Sequence, residues 1–404
     1  MKVKERFLRY AATDTASEPD SPKTPSTAKQ RVFAEMLCDE LRGMGAEDVK
    51  ISDNAYVYAR IPSNVKRDIP KIGFIAHLDT APAVSGTGVK PRVFENYDGG
   101  TLEIGNGVSI RPEEFCHLSN YIGQDIITSS GDTLLGADDK AGIAEIMELC
   151  EILLCDKSIE HGEIGVAFTP DEEIGHGAAL LDIEGFGCKY AYTVDGGALG
   201  ELEYENFNAA SAKIVIRGKS IHPGSAKGQM VNAALVAMEL HGLLPALETP
   251  FYTENYEGFY HLVAMRGETE QAELQYIIRD HDRAKFEARK AVMEKACAEI
   301  DRRYGAGTAA LTLRDSYYNM KEKIAPCMFL IENAKKAMES LGVTPKVVPI
   351  RGGTDGARLS FEGLPCPNLC TGGENFHGRF EYVPADDMET ITNLLAQLMW
   401  QLAE

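Results

Sequence analysis

Three apolar runs of this chain end in acids or a histidine. Residues 72–76 (IGFIA) lead into His77-Leu78-Asp79, residues 164–168 (IGVAF) pass through Thr169-Pro170 into Asp171-Glu172-Glu173, and residues 190–194 (YAYTV) lead into Asp195-Gly196-Gly197. A further acidic pair, Asp138-Asp139, stands in GADDKAG before a helix-like segment at 141–155, and His377 lies in the Gly-rich loop 372–378. Each has an ordinary structural reading: a hydrogen-bonded histidine at a strand end, a solvated acidic turn, a helix cap at Asp138, a turn residue at Asp195. Jointly they describe a metal chemistry. Carboxylates and imidazoles without thiolates bind divalent cations in open, hydrolytic sites; zinc suits this donor set, and Mn²⁺ or Co²⁺ is chemically admissible. His77 and Asp79 sit at i and i+2 of an extended segment and face the same way, and an acid so placed fixes the tautomer of a ligating imidazole. Glu172 and Glu173 point to different sides, so that one can ligate while the other takes a proton from the metal's water, the arrangement for general-base hydrolysis. His77, His377, Asp138, Glu173 and Asp195 together bring three carboxylates and two neutral imidazoles, a charge that two divalent cations and one hydroxide balance.

Such residues meet only if the segments before them lie side by side. Continuous apolar runs are the mark of buried strands in a parallel sheet. With helices expected at 29–43 and 141–155 they predict an α/β sandwich. In an open sheet of this kind ligands collect beyond the carboxyl ends of the strands, which is where the acids and His77 fall. From about residue 207 the texture changes. A strand is expected at 213–216, a helix at 231–244, strands at 259–265 and 273–279, a charged amphipathic helix at 283–304 and a strand at 309–313. In the third of these strands Leu274, Tyr276 and Ile278 alternate with Glu273, Gln275 and Arg279. The order β-α-β-β-α-β is the ferredoxin-like split unit. Strand-and-glycine texture returns at 347 and ends in a helix from 387. The expected fold is an α/β/α catalytic domain over residues 1–206 and 318–404, carrying an inserted ferredoxin-like α+β domain at 207–317.

A length of 404 residues is more than one ordinary core holds. Hydrophobic residues at 44% and charged residues at 25% are the mix of a soluble globular protein, which excludes a disordered or fibrous chain. A net charge of −20 repels phosphate backbones and anionic lipid, so neither nucleic acid nor a membrane is an expected partner. The start, MKVKERFLRY, lacks the apolar run of a signal peptide. The nine cysteines form no CxxC and read as reduced thiols of a cytoplasmic protein.

The strings IGFIAHLDT, TLLGADDKAGIAEIME, VAFTPDEEIG, YTVDGG, HPGSAKG, YIIRDHDR, PIRGGTDGARLSFEGLPCPNL and TGGENFHG carry a resemblance that covers nearly the whole chain. The chain resembles the peptidase T family of tripeptide aminopeptidases, within the di-zinc metallopeptidase superfamily that includes acetylornithine deacetylase and carboxypeptidase G. The resemblance implies a zinc-peptidase fold with two Zn²⁺ per subunit. It implies His77 and Asp195 on one zinc, Glu173 and His377 on the other, and Asp138 bridging both. It further implies that Asp79 supports His77 and that Glu172 is the general base for hydroxide attack that releases the N-terminal residue of a short peptide. It also implies that a histidine of the inserted domain reaches the catalytic centre; His222 in IHPG fits that role, a surface loop histidine being the plain alternative. Arg279 and Arg351 are candidates for holding the peptide's terminal carboxylate, since a guanidinium fork matches it bidentately; pairing with Asp280, Asp282 or Asp355 is the alternative. A dipeptidase or N-acyl amino acid deacylase with the same zinc pair, a phosphoesterase, and a non-catalytic metal-binding protein are the competing functions. Intact Glu172 and ligand positions favour acyl hydrolysis. The inserted domain also offers edges through which a homodimer could form.

Overall fold

Residues Ile72–His77 and Ile164–Thr169 have no polar face, and both strands are buried along their whole length. In the computed structural model, which describes residues 1–403, they pair in parallel, Ile72 opposite Ile164 and His77 opposite Thr169. Tyr190–Gly196 runs parallel on the other side of Ile72–His77, and Asn368–Cys370 runs parallel beyond it. The strands end nearly level, so the loops after them open at one end of the sheet. At its edges this eight-stranded sheet is mixed. Val57–Ile61 joins Ile164–Thr169 antiparallel and carries the mostly exposed Glu47–Ile51 outside it, while Glu201–Glu203 joins Asn368–Cys370 antiparallel. The parallel sheet expected from the apolar runs is the centre of this larger one.

The helix Ala137–Cys155 is apolar around most of its circumference and is correspondingly buried. It packs against the sheet and against the helices Val3–Ala11 and Ala385–Ala403. Regular helical geometry begins only after Asp139, because Asp138 (φ −86°, ψ 100°) and Asp139 (φ −125°, ψ 37°) are bent out of it. A Cβ at Gly142 would strike the Val194 carbonyl oxygen and the Asp139 carboxylate, so glycine lets the helix start press onto the strand that carries Asp195. A small antiparallel sheet of Arg92–Phe94, Ile126–Thr128 and Tyr382–Pro384 lies in segments that the apolar pattern leaves unassigned. No helix among the described residues is long and apolar enough to cross a membrane.

The chain forms two compact units. Met1–Tyr204, Glu322–Val348 and Thr354–Glu404 make one; Glu205–Lys321 and Pro349–Gly353 make the other. In the second, the strands lie in the order Phe259–Gly267, Gln271–Asp280, Asn208–Arg217, Ala309–Tyr317, all antiparallel, the ferredoxin-like arrangement. The helices Ala233–His241 and Arg283–Tyr304 bury Val236, Leu240, Phe286, Met293 and Ile300 with Ile214, Leu274, Tyr276 and Ile278 of the sheet. Three buried asparagines tie together the chain's entry and exit. Asn319 Oδ1 accepts the Asn206 N–H, Asn208 Oδ1 accepts the Asn319 N–H, and Asn206 Oδ1 accepts the Met320 N–H. Pro349–Gly353 is bound to the same unit: the Ile350 N–H donates to the Glu205 carbonyl, and His281 Nε2 donates to the Ile350 carbonyl.

Candidate metal centre

His77 is the last residue of a fully buried strand, so its ring has little water around it. The strand end is fixed by Asp139, whose carboxylate accepts the His77 N–H (3.0 Å) and, one turn into the helix, the Gly142 N–H (3.2 Å). This delivers Asp138 to the ring: His77 Nε2 lies 2.7 Å from Asp138 Oδ1 and 3.4 Å from Asp195 Oδ1. The other oxygen of Asp138 faces His377, whose Nε2 is 3.0 Å from Asp138 Oδ2 and 3.0 Å from Glu173 Oε2. Two groups result, His77–Asp138–Asp195 and Asp138–Glu173–His377, each with its ligand atoms within 4.8 Å of one another, and Asp138 belongs to both.

Asp79 does more than support a ring. His77 Nδ1 donates to the Asp79 main-chain carbonyl (3.0 Å), while the Asp79 carboxylate accepts the N–H groups of Glu172 (2.9 Å) and Glu173 (3.2 Å). One residue thereby holds both the first histidine and the turn with the two glutamates. Glu172 belongs to neither cation group.

Burial disfavours charge on His77, but Asp195, Asp138 and Asp79 outweigh it and hold the imidazole well above its ordinary pKa. His377 is pushed up to about 11 by its hydrogen bonds to Asp138 and Glu173. Burial raises Asp195 to about 7, His77 opposing, and burial also raises Glu173 and Glu172. Acids crowded out of water in this way lack positive charge, and Glu173 Oε1 is buried with no hydrogen-bond partner. Two divalent cations would supply that charge, and the donor set of carboxylates and imidazoles fits them.

Two further acids hold the site, and the sequence reading gives neither a role in it. Glu381 is buried, and its carboxylate accepts the N–H groups of Leu135 (2.8 Å), Gly136 (2.9 Å) and Asp138 (3.2 Å), fixing the loop that presents Asp138. Asp355, considered from sequence only as an arginine's partner, accepts hydrogen bonds from Thr169 and Ala178 instead. The only sequence signal for Glu381 is its closeness to His377, which any surface acid could share.

The remaining predicted residues lie on the inserted unit. His222 is exposed in a turn, its Nδ1 accepting the Gly224 N–H. Neither arginine makes the acid pairs considered for it. Arg279 donates to the Ala210 and Ile278 carbonyls and lies over the Tyr317 ring, while Asp280 pairs with Arg289 at 2.7 Å. Arg351 donates to the carbonyls of Asn255 (2.7 Å), Glu257 (3.0 Å) and Thr253 (3.2 Å), over the Phe207 ring.

The model of the peptidase dimerisation domain matches residues 204–308. Among curated proteins, a peptidase T from a Geobacillus species is 52% identical over 98% of this chain and 98% of its own. Among solved structures, the aminopeptidase PepT from Bacillus cereus superposes with a TM-score of 0.80 at 25% identity, covering 100% of this chain and 98% of that one. A dinuclear metal-binding peptidase of the M20 family from Bacillus subtilis follows at a TM-score of 0.68 and 15% identity, with 99% and 97% covered. The fold is thus that of the M20 metallopeptidases, with the paired histidine–carboxylate groups at the carboxyl ends of its strands. The chain belongs to the peptidase T family.

Proposed function

We propose that the protein is a metal-dependent aminopeptidase that releases the N-terminal residue from tripeptides, with two Zn²⁺ as its cations and Mn²⁺ or Co²⁺ as functional substitutes. The observation that carries the reading is the pair of histidine–carboxylate groups sharing Asp138, with Glu172 beside Glu173 and outside both groups. His77 and Asp195 hold one cation, Glu173 and His377 the other, and Asp138 both. The cations, when bound, polarise the peptide carbonyl and acidify the attacking water. Glu172, outside both cation groups, takes the proton of that water and returns it to the departing amine. Asp79 keeps the His77 ring in register with these events. Two residues of the insertion enter on family resemblance: His222 as a donor to the developing oxyanion and Arg279 as the clamp on the peptide's terminal carboxylate. Arg351 is spent on three main-chain carbonyls and is the weaker clamp of the two. We also propose that the insertion joins two subunits, in keeping with the dimerisation-domain match, and that the enzyme works in the cytoplasm.

The test is turnover of a panel of di-, tri- and tetrapeptides and N-acyl amino acids by protein stripped of metal and then restored with zinc. Tripeptides should be cleaved fastest, only after metal is restored, with the N-terminal residue released. Glu172→Gln should lower kcat by about 10²–10⁴-fold at unchanged metal content. Preferred cleavage of N-acyl amino acids, or full activity without metal, overturns the reading.

A further inference from the structure

Asp355 is a buried carboxylate that belongs to neither cation group. It opens the short helix Asp355–Phe361, yet its side chain is given to a different part of the chain. One oxygen accepts the Thr169 hydroxyl at 2.9 Å and the other accepts the Ala178 N–H at 2.7 Å. These donors stand at the two ends of the segment 169–178, which contains Glu172 and Glu173. Between the strand end at Thr169 and Gly177 the turn Glu172–Ile174 is the only regular structure, so side chains must do what a ladder of main-chain bonds does elsewhere. Asp79 holds its middle through the Glu172 and Glu173 N–H groups. Asp171 is tied by its carboxylate to the Ser26 N–H and the Gln30 amide. The Tyr56 hydroxyl donates to the Gly177 carbonyl (2.7 Å) and accepts the Leu180 N–H (3.2 Å). Among these anchors Asp355 alone grips both ends at once. The contact is close: any Cβ at Gly177 would strike the Asp355 carboxylate.

We infer that Asp355 is a positioning residue for Glu172: by holding Thr169 and Ala178 together it fixes where the general base stands. The inference rests on the role proposed above for Glu172. Bonds to an ionised acceptor are short and strong, and a general base works only within hydrogen-bond reach of its proton. A displacement of about 1 Å at such a group costs on the order of a hundredfold in rate. Losing Asp355 removes no cation ligand, and Glu173 keeps its own anchors on Asp79 and His377, so the effect falls on kcat and not on metal content.

The experiment compares wild type, Asp355→Asn, Thr169→Val, Thr169→Ser and the double variant Asp355→Asn/Thr169→Val. It measures kcat and KM on a tripeptide, metal content, and hydrogen exchange of residues 169–180 in the metal-free proteins. Asp355→Asn should lose about a hundredfold in kcat with KM and metal content unchanged, and exchange in the segment should quicken. Thr169→Val should lose part of the same activity and Thr169→Ser recover it. The double variant should be no worse than Asp355→Asn alone, since both act through one bond. An undiminished kcat for Asp355→Asn, a loss of metal on that substitution, or a Thr169→Ser as impaired as Thr169→Val overturns the inference. A wild type inactive on tripeptides rejects the proposed function, and exchange, measured without substrate or metal, still decides whether Asp355 holds the segment.

Discussion

Asp138 faces His77 with one carboxylate oxygen and His377 with the other. On the assignment proposed above, a substitution there strips a ligand from each cation group, whereas one at Asp195 strips a ligand from only one. Asp138→Ala should therefore bind neither cation tightly, while Asp195→Ala should retain the cation between Glu173 and His377. Metal analysis after dialysis against a weak chelator checks this, and equal losses from the two variants would refute the shared role. That these residues meet was legible in the sequence, because acids and a histidine stand directly after apolar runs that pair as neighbouring strands. Glu381 and Asp139 act through main-chain N–H groups. Any acid can do that from any distance along the chain, so no spacing betrays it.

At the base of the insertion, Asn319 Oδ1 accepts the N–H groups of Asn206 and Lys321, and its Nδ2 donates to the His281 carbonyl. Asn319→Ala leaves these groups without their side-chain partner in a buried place, at a cost of about 1–3 kcal/mol. Urea denaturation should show that loss with the far-UV spectrum unchanged, and a variant as stable as wild type would refute the role. Elements with strong periodicity were legible: the helix expected at 283–304 is Arg283–Tyr304. The strand expected at 213–216 is Asn208–Arg217, longer because its first half, NAASA, has weak strand propensity of its own and is ordered by partners on both sides. The three-residue strands Arg92–Phe94 and Ile126–Thr128 are too short to show a period at all. The antiparallel edges of the large sheet were hidden likewise, because pairing direction is set by tertiary neighbours and leaves no mark in a strand's own composition.

Across the whole molecule, an excess of acid meets a centre that concentrates it. In the metal-free protein burial pushes Glu203 from 4.5 up to about 8 and Asp195 from 3.8 up to about 7. The folded chain thus keeps protons there that the unfolded chain has already released. Stability from these groups is fully present below their unfolded values and is lost as pH rises through the folded ones. His377, raised to about 11, acts in the same direction above neutrality, while Asp138 is depressed and matters only in acid. Metal-free protein should therefore melt at a lower temperature at pH 8.5 than at pH 5.5 (both chosen to bracket these shifts). Zinc should narrow the gap by taking the place of the protons. Scanning calorimetry with and without zinc checks both, and a flat metal-free profile would contradict the assignment. The return of Pro349–Gly353 to the insertion has a consequence for protein engineering. Splicing Tyr204 directly to Glu322 would strand Arg351, whose seat is made by Thr253, Asn255, Glu257 and Phe207. A transplant of this module into another host must carry two pieces of chain, and its removal must mend two wounds.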